Sequence, residues 1–436
     1  MKLKRIEIAK ALKGTPLDYV KITGKSLNER YSPIDEYGDL RGRMGVNFST
    51  TRVVTSLISP YVEAEISMHP GKRFLNFSSQ DYLGLSQHQA VRDAAMEAVR
   101  KFGVHTASSP ILTGRNKLTE QLEETLANHL GTEQCLLYPT GWGACFGAIA
   151  ALVNRNDHLI MDALSHNSLQ TAARYAVESS YKFRHNDIDN LESLLKKVRA
   201  HDSAGGVFVV VEGLYSMNSD MPDLPKVLDL MERYEAVLIL DIAHDFGAMG
   251  EEGLGILEAV KGRDLSNVVM CGAFSKSFAS NGGFVAGPSV IRRQLIVFSP
   301  SYTFSNGISP VQCAVAEKCA EIIFSGEGDK LRKKLKINID HSIRRFADEG
   351  FVTIGIPSPI VPVLIGAESL ARLMCREIEH KGILANLAEF PAVPKGKAIF
   401  RFQMMSTHEL PHIDEAARIM AETRSFTETI LKNLKV

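Results

Sequence analysis

The chain has 436 residues, and its 50 Lys+Arg and 50 Asp+Glu give a formal net charge of zero. This length predicts a large domain with a smaller one, each able to bury a substantial core. The balanced charge argues against a nucleic-acid-binding surface and against a polybasic membrane surface, so a small-molecule partner is expected.

The first 75 residues are predicted to form an N-terminal arm, because charged helix-like stretches alternate there with Gly and Pro. Residues 76–305 then alternate short apolar runs with longer amphipathic ones, which is typical of strands and helices around a parallel sheet. Residues 306–436 open with a long helical stretch and are predicted to form a smaller α+β domain.

The predicted strands of the central region are 133–139, 157–162, 205–213, 236–241 and 267–272. The predicted helices between them include 117–130 and 224–234, and the C-terminal domain adds predicted strands at 358–366 and 397–405. A strand that is apolar throughout is buried on both faces, so the polar residues just past its carboxyl end are those that can face a ligand.

This rule selects six residues at or after the ends of predicted strands, namely Gly141, His166, Ser216, Asp241, His244 and Lys276. A lysine amine condenses with an aldehyde to a Schiff base, an aspartate beside a pyridine nitrogen keeps that ring protonated, and an imidazole can stack on the ring. These residue types together predict a pyridoxal phosphate (PLP) site. Taken singly, each has a plainer interpretation, since a strand-end Asp is often a helix cap and a lone His is often part of the core.

A phosphate site is predicted in PTGWGACFGAIAAL (139–152), where a glycine turn opens a helix whose first N–H groups point outward. Ser275 would supply a nearby hydroxyl. The six cysteines show no CxxC spacing, so neither a metal site nor a disulfide framework is predicted. Because the basic N-terminal stretch contains Glu7 and no continuous apolar run, a signal peptide is not expected; no run reaches membrane-spanning length, and a cytoplasmic protein is expected.

The chain resembles the α-oxoamine synthase family in the motifs NFSSQDYLGLSQH, VEGLYSMNSDMPDL, DIAHDFGAMGEEGLG, GAFSKSF and KAIFRF, which follow in unbroken order between residues 76 and 402. The resemblance implies an α/β protein with the fold-type I architecture of PLP-dependent transferases, which is aspartate aminotransferase-like. Its large domain would contain a mostly parallel seven-stranded sheet.

The resemblance implies that Lys276 forms the Schiff base with the cofactor and serves as the acid and base. Asp241 would pair with the ring nitrogen, and His166 would stack on the ring. His244 and Ser216 would lie near the phenolic oxygen of the cofactor.

Backbone amides of Gly141 and Trp142 would hold the phosphate together with Ser275. Ser305 would reach into the site of a neighbouring subunit, so a homodimer with active sites at the subunit interface is implied. Arg401 would bind the carboxylate of an amino acid, for which its forked guanidinium is suited. Gln80 would help to place the substrate.

The implied reaction joins an amino acid to an acyl thioester by a decarboxylative Claisen-type condensation, which gives an α-amino ketone, carbon dioxide and a free thiol. The donor would be either acyl coenzyme A or an acyl carrier protein. Two alternatives stay open: another fold-type I enzyme, such as an aldolase or an aminotransferase, and a non-catalytic partner subunit.

Four departures from the family pattern bear on specificity and cofactor affinity. Gln80 stands where Asn is usual, Ile242 replaces an acid, and Ala273 removes a hydroxyl from the phosphate region. The segment 107–123, with Pro110 and Thr119, also differs. An active enzyme of unusual specificity is therefore expected.

Overall fold

The computed structural model describes residues 4–20, 23–48, 51–66, 69–178 and 180–434. The chain divides into two compact units. The catalytic unit, as we name it here, comprises 80–216 and 220–333, and the second unit comprises 1–79, 217–219 and 334–436.

The strands are β1 (Val53–Val54), β2 (Tyr61–Ile66), β3 (His69–Phe77), β4 (Gln134–Tyr138), β5 (His158–Asp162), β6 (Ser180–Phe183), β7 (Val207–Glu212), β8 (Val237–Asp241), β9 (Val268–Ala273), β10 (Gly283–Gly287), β11 (Val352–Thr353), β12 (Ile360–Gly366), β13 (Ile383–Ala388) and β14 (Ala398–Gln403). The helices are α1 (Arg5–Lys13), α2 (Leu27–Arg43), α3 (Gln89–Phe102), α4 (Lys117–Leu130), α5 (Gly141–Leu152), α6 (Asn167–Ala176), α7 (Ile188–His201), α8 (Leu224–Arg233), α9 (Arg292–Phe298), α10 (Pro300–Thr303), α11 (Pro310–Ile323), α12 (Gly326–Asp348), α13 (Glu368–His380) and α14 (Leu410–Leu434).

The catalytic unit is built on a seven-stranded sheet of order β4-β10-β9-β8-β7-β5-β6. The neighbours β6-β5, β5-β7, β7-β8 and β8-β9 are parallel, and β10 runs antiparallel to β9 and β4. The prediction of a mostly parallel seven-stranded sheet is therefore confirmed. Because parallel strands share one direction, the carboxyl ends of β7, β8 and β9 meet at one edge.

Local sequence explains why the elements of this sheet begin and end where they do. The central strands bury nearly every side chain, and α5 and α6 cover one face through residues such as Ile149 and Leu169. Helix α4 begins after Asn116, whose side chain accepts the N–H of Thr119 at 3.2 Å, and ends at Gly131 with a positive φ of 64°. Its bounds are those predicted.

The second unit contains another seven-stranded sheet, of order β1-β2-β3-β13-β14-β12-β11. Strand β3 pairs in parallel with β13, so Leu75 lies opposite Ile383. The segment expected to be an N-terminal arm thus shares a sheet with C-terminal residues, and α11, expected in the smaller domain, belongs to the catalytic unit. The pairing joins positions far apart in the chain, and local patterns carry no signal for it.

None of the described helices is both long enough and apolar enough to cross a membrane.

Candidate active site

The catalytic unit contains a cavity of about 300 Å³ at the edge where β7, β8 and β9 end. This volume is at the lower end of the range typical of small-molecule sites. The cavity is lined by Thr140, Gly141, Trp142, Cys145, His166, Ser168, Glu212, Asp241, Ala243, His244, Ala273, Ser275, Lys276, Asn281 and Gly282. Seven of the residues that the sequence selected are among them.

Asp241 ends β8 and is only 6% exposed. Its carboxylate accepts the N–H of Ala243 at 3.0 Å through Oδ1 and the thiol of Cys145 at 3.3 Å through Oδ2. Two donors on one carboxylate fix its orientation and suit its ionised form, which can only accept hydrogen bonds. The sequence did not single out Cys145.

His244 lies three residues beyond Asp241, and its Nδ1 is 2.9 Å from the hydroxyl of Tyr82. Tyr82 is fully buried. The hydroxyl therefore fixes the plane of the imidazole at the cavity wall. Sequence reasoning did not assign Tyr82, although its stretch, SQDYLGL, carries part of the family resemblance.

His166 stands just before the first residue of α6 and lines the cavity. Its Nδ1 accepts the N–H of Ser168 at 3.3 Å, so the ring proton belongs on Nε2. The residue as a whole is exposed, yet burial of its ring lowers the pKa of His166; Asp241 opposes this shift and Lys276 adds to it. A neutral ring is the form expected at neutral pH, and it suits stacking on an aromatic ligand.

Glu212 ends β7 and is 3% exposed. Its Oε1 accepts the backbone N–H of His166. Burial raises the pKa of Glu212 well above its usual range, and the neighbouring Asp241 adds to the rise. The strand-end rule could have found this residue, since Glu212 directly follows the apolar run VFVVV.

The amino end of α5 contributes Gly141, Trp142 and Cys145 to the cavity wall. Thr140 caps the helix by accepting the N–H of Gly143 at 2.9 Å, which leaves the first backbone N–H groups free of intrahelical partners. A Cβ on Gly141 would lie 2.3 Å from the Cβ of Ala273, so only glycine fits between α5 and β9. The exposed ring of Trp142 stacks on Phe146 with centroids 5.2 Å apart.

Lys276 lies in the turn between β9 and β10, half-buried, and faces the cavity next to the exposed Ser275. Its positive charge lowers the pKa of both His166 and Glu212, in each case as a minor contribution. The amine and the carboxylate of Asp241 therefore share one polar chamber.

Four predicted site residues are not among the described residues that line this cavity. Ser216, Ser305 and Gln80 are half-buried elsewhere in the catalytic unit. Arg401 belongs to the second unit, where it lies on β14 and is 8% exposed. Ile242 is fully buried and donates its N–H to Cys271, so this departure falls in the core.

Comparison with known proteins defines the class of the molecule. Residues 72–419 match the family described as aminotransferase class I and II, and the chain belongs to this family. A serine palmitoyltransferase of Bacteriovorax stolpii is 32% identical over 365 residues, covering 83% of this chain and 85% of that protein. An 8-amino-7-oxononanoate synthase of Petrotoga mobilis is 31% identical over 346 residues, covering 79% and 87%.

Solved structures agree with this placement. The structure named "Sphingomonas wittichii Serine palmitoyltransferase" has a TM-score of 0.86 at 24% identity and covers 93% of this chain and all of that one. A variant whose structure is described as "SPT with PLP" reaches 0.86 at 25% identity with the same coverage. The prediction that the chain belongs to the α-oxoamine synthase group is confirmed. The predicted fold-type I architecture and the prediction that the protein is an enzyme are confirmed as well.

Proposed function

We propose that the protein is a PLP-dependent α-oxoamine synthase, which condenses an amino acid with an acyl thioester and releases carbon dioxide and a free thiol. The observation that carries the proposal is the placement of Lys276, Asp241, His166 and His244 around one cavity at the strand ends. The relatives named serine palmitoyltransferase and 8-amino-7-oxononanoate synthase support the reaction class.

The residues present fit the cofactor. The cavity holds a lysine for covalent attachment, a buried carboxylate held by two donors, and a helix amino end that suits a phosphate. The absence of a side chain at Gly141 lets this helix begin directly against β9, beside the cavity. When bound, PLP supplies an aldehyde for the lysine and a protonated pyridine ring that withdraws electrons from the substrate.

Each residue then has a defined task. Asp241 would hold the proton on the ring nitrogen, and its carboxylate is fixed for this task by Cys145 and Ala243. His166, as a neutral ring, would stack on the pyridine face. Lys276 would take the proton from the substrate Cα and return a proton to the product carbon that has lost carbon dioxide.

His244 and Ser216 would bind the phenolic oxygen of the cofactor. The phosphate would be bound by the N–H groups of Gly141 and Trp142 and the hydroxyl of Ser275. Ala273 offers no hydroxyl there, so the helix amino end has the larger share of this binding.

On the substrate side, we propose Arg401 for the amino-acid carboxylate and Gln80 as a residue that sets which amino acid fits. Because the two relatives carry different enzyme names, we specify the substrates only by class, as an amino acid and an acyl thioester. The acyl donor is either acyl coenzyme A or an acyl carrier protein. The six free cysteines, most of them buried, fit a reducing compartment such as the cytoplasm.

A homodimer with active sites at the interface is part of the proposal. Phe304, next to Ser305, is 87% exposed, and Leu112 is 74% exposed. Their loops are joined by the bond from the Ser109 hydroxyl to the Thr303 carbonyl at 2.7 Å. Large apolar side chains held in this way on a surface are typical of a subunit contact.

The test combines PLP-saturated protein with each of the twenty amino acids and with acyl thioesters of several chain lengths. Free thiol and carbon dioxide released together are expected. Amino transfer to a keto acid would instead identify an aminotransferase, and aldehyde release without thioester would identify an aldolase. A protein that binds no PLP would be the non-catalytic subunit.

A further inference from the structure

We propose that Glu212 is a positioning residue that works as a neutral carboxylic acid, anchoring the amino end of α6 and thus His166 while leaving the negative charge of the cavity wall on Asp241. The inference rests on the proposed function, because that function gives His166 its role of stacking on the cofactor ring. It assigns a task to a buried group that the reaction itself does not use.

The sheet register places the two acids side by side. Glu212 and Asp241 are direct partners across the parallel strands β7 and β8, so their side chains leave the sheet on the same face. Both line the same cavity. Two carboxylates held this close in a poorly hydrated site oppose each other's ionisation.

The hydrogen bonds favour Asp241 as the ionised partner. Asp241 accepts from the Cys145 thiol and from the Ala243 N–H, and charge-assisted bonds of this kind stabilise a carboxylate. Glu212 accepts the N–H of His166, which a neutral carboxyl can do equally well through its carbonyl oxygen.

Burial and the charged groups around Glu212 shift its pKa in opposite directions. Burial, Asp241 and Asp162 favour its protonated form, and Asp162 itself is completely buried. The N–H of His166 and the ammonium of Lys276 oppose them.

The anchor has a structural consequence for His166. This residue is the cap of α6, and its backbone N–H bond to Glu212 fixes the point where the helix starts. The imidazole orientation follows from that point, since Nδ1 is bound within the same turn to Ser168. Removal of the acceptor would therefore release the stacking ring.

Two variants separate the acceptor from the charge. Glu212→Gln keeps a carbonyl oxygen and is always neutral, whereas Glu212→Leu keeps the volume and removes the acceptor. We expect the Leu variant to bind PLP about fivefold or more weakly, the effect of one buried hydrogen bond, and the Gln variant to restore most of that loss. Equal weakening in both variants would overturn the proposal, because it would show that the charge is needed.

The second measurement uses the cofactor-free protein. An acid whose pKa is raised on folding loses stability as pH rises above its unfolded value of about 4.5, because the unfolded chain releases the proton first. Between pH 5 and pH 8, the wild type should therefore lose more stability than Glu212→Gln in thermal unfolding. Glu232→Gln, an exposed change on α8, is the control and should follow the wild type.

Identical pH dependence in wild type and Glu212→Gln would show that Glu212 is ionised in the folded protein and would refute its neutral role. This readout needs no cofactor and no turnover. A protein that fails to bind PLP at all would contradict the proposed function, while the unfolding data would still report the protonation state of Glu212.

Discussion

Individual side chains at the cavity are held by neighbours that have no direct part in the proposed chemistry. Asp241 depends on Cys145, His244 on Tyr82, and His166 on Glu212. The strand-end rule found the first member of each pair because a polar residue after an apolar run is conspicuous in sequence. It missed Cys145 and Tyr82 because a thiol and a buried tyrosine read as ordinary core residues.

Lys276→Ala is expected to abolish turnover while leaving the fold intact, because the half-buried amine acts through covalent chemistry and not through packing. Borohydride treatment should attach PLP irreversibly to the wild type and not to the variant. Far-ultraviolet circular dichroism checks the fold, and Lys330→Ala, an exposed change on α12, is the control. Full activity in the Lys276 variant would rule out the mechanism.

Cys145→Ala is expected to weaken PLP binding by roughly two- to tenfold, the effect of losing one hydrogen bond worth about 0.5–1.5 kcal/mol. The thiol donates to Asp241 over 3.3 Å, and this bond fixes the carboxylate that we propose for the ring nitrogen of the cofactor. Cys145→Ser keeps a donor and should bind PLP more tightly than the alanine variant. Equal affinities in the two variants, measured by fluorescence titration, would show that the donor has no influence on cofactor binding.

Secondary-structure elements of the catalytic unit also meet in an ionic cluster around His185. His185, in the β6–α7 turn, binds Asp162 at the end of β5 through Nδ1 and Asp220 before α8 through Nε2, each at 2.9 Å. Burial of the ring disfavours its charge, but the two carboxylates outweigh burial and raise the pKa of His185 to about 9. At neutral pH a protonated imidazole therefore links the β6–α7 turn, the end of β5 and the segment before α8.

This cluster predicts a defined pH dependence of stability. The folded pKa of His185 is raised above its ordinary 6.5, so its stabilisation is complete below pH 6.5 and is lost as pH rises through about 9. A shift of this size corresponds to about 3 kcal/mol. His185→Gln should therefore be most destabilising near pH 6 and distinctly less so near pH 10.

Urea unfolding of wild type and variant at both pH values measures this difference. His201→Gln, at an exposed position on α7, is the control and should show no such trend. A constant difference between wild type and His185→Gln across the range would mean that folding does not raise the pKa of His185.

Across the whole molecule, sequence predicted what local patterns encode. The strands 157–162, 236–241 and 267–272 were found because central parallel strands are apolar on both faces. The pairing of β3 with β13 was not predicted, since it joins Leu75 to Ile383 and depends on the tertiary fold. Strand β10 was also missed, because the glycines at both ends of GFVAG resemble a turn.

The proposed homodimer gives the last prediction. Phe304 is 87% exposed in a loop that is also bound to the 108–114 segment through the Gly307 N–H and the Ser108 carbonyl at 2.9 Å. Burial of such a ring in a subunit contact contributes about 2 kcal/mol or more per copy, and a buried carboxylate would reverse that contribution. Phe304→Glu should therefore dissociate the dimer in analytical ultracentrifugation.

Val290→Glu is the control, because Val290 is 81% exposed after β10, at the sheet end away from the cavity. If Phe304→Glu sediments as the wild type does, this loop is not the subunit contact, and Ser305 then has no route to a second active site.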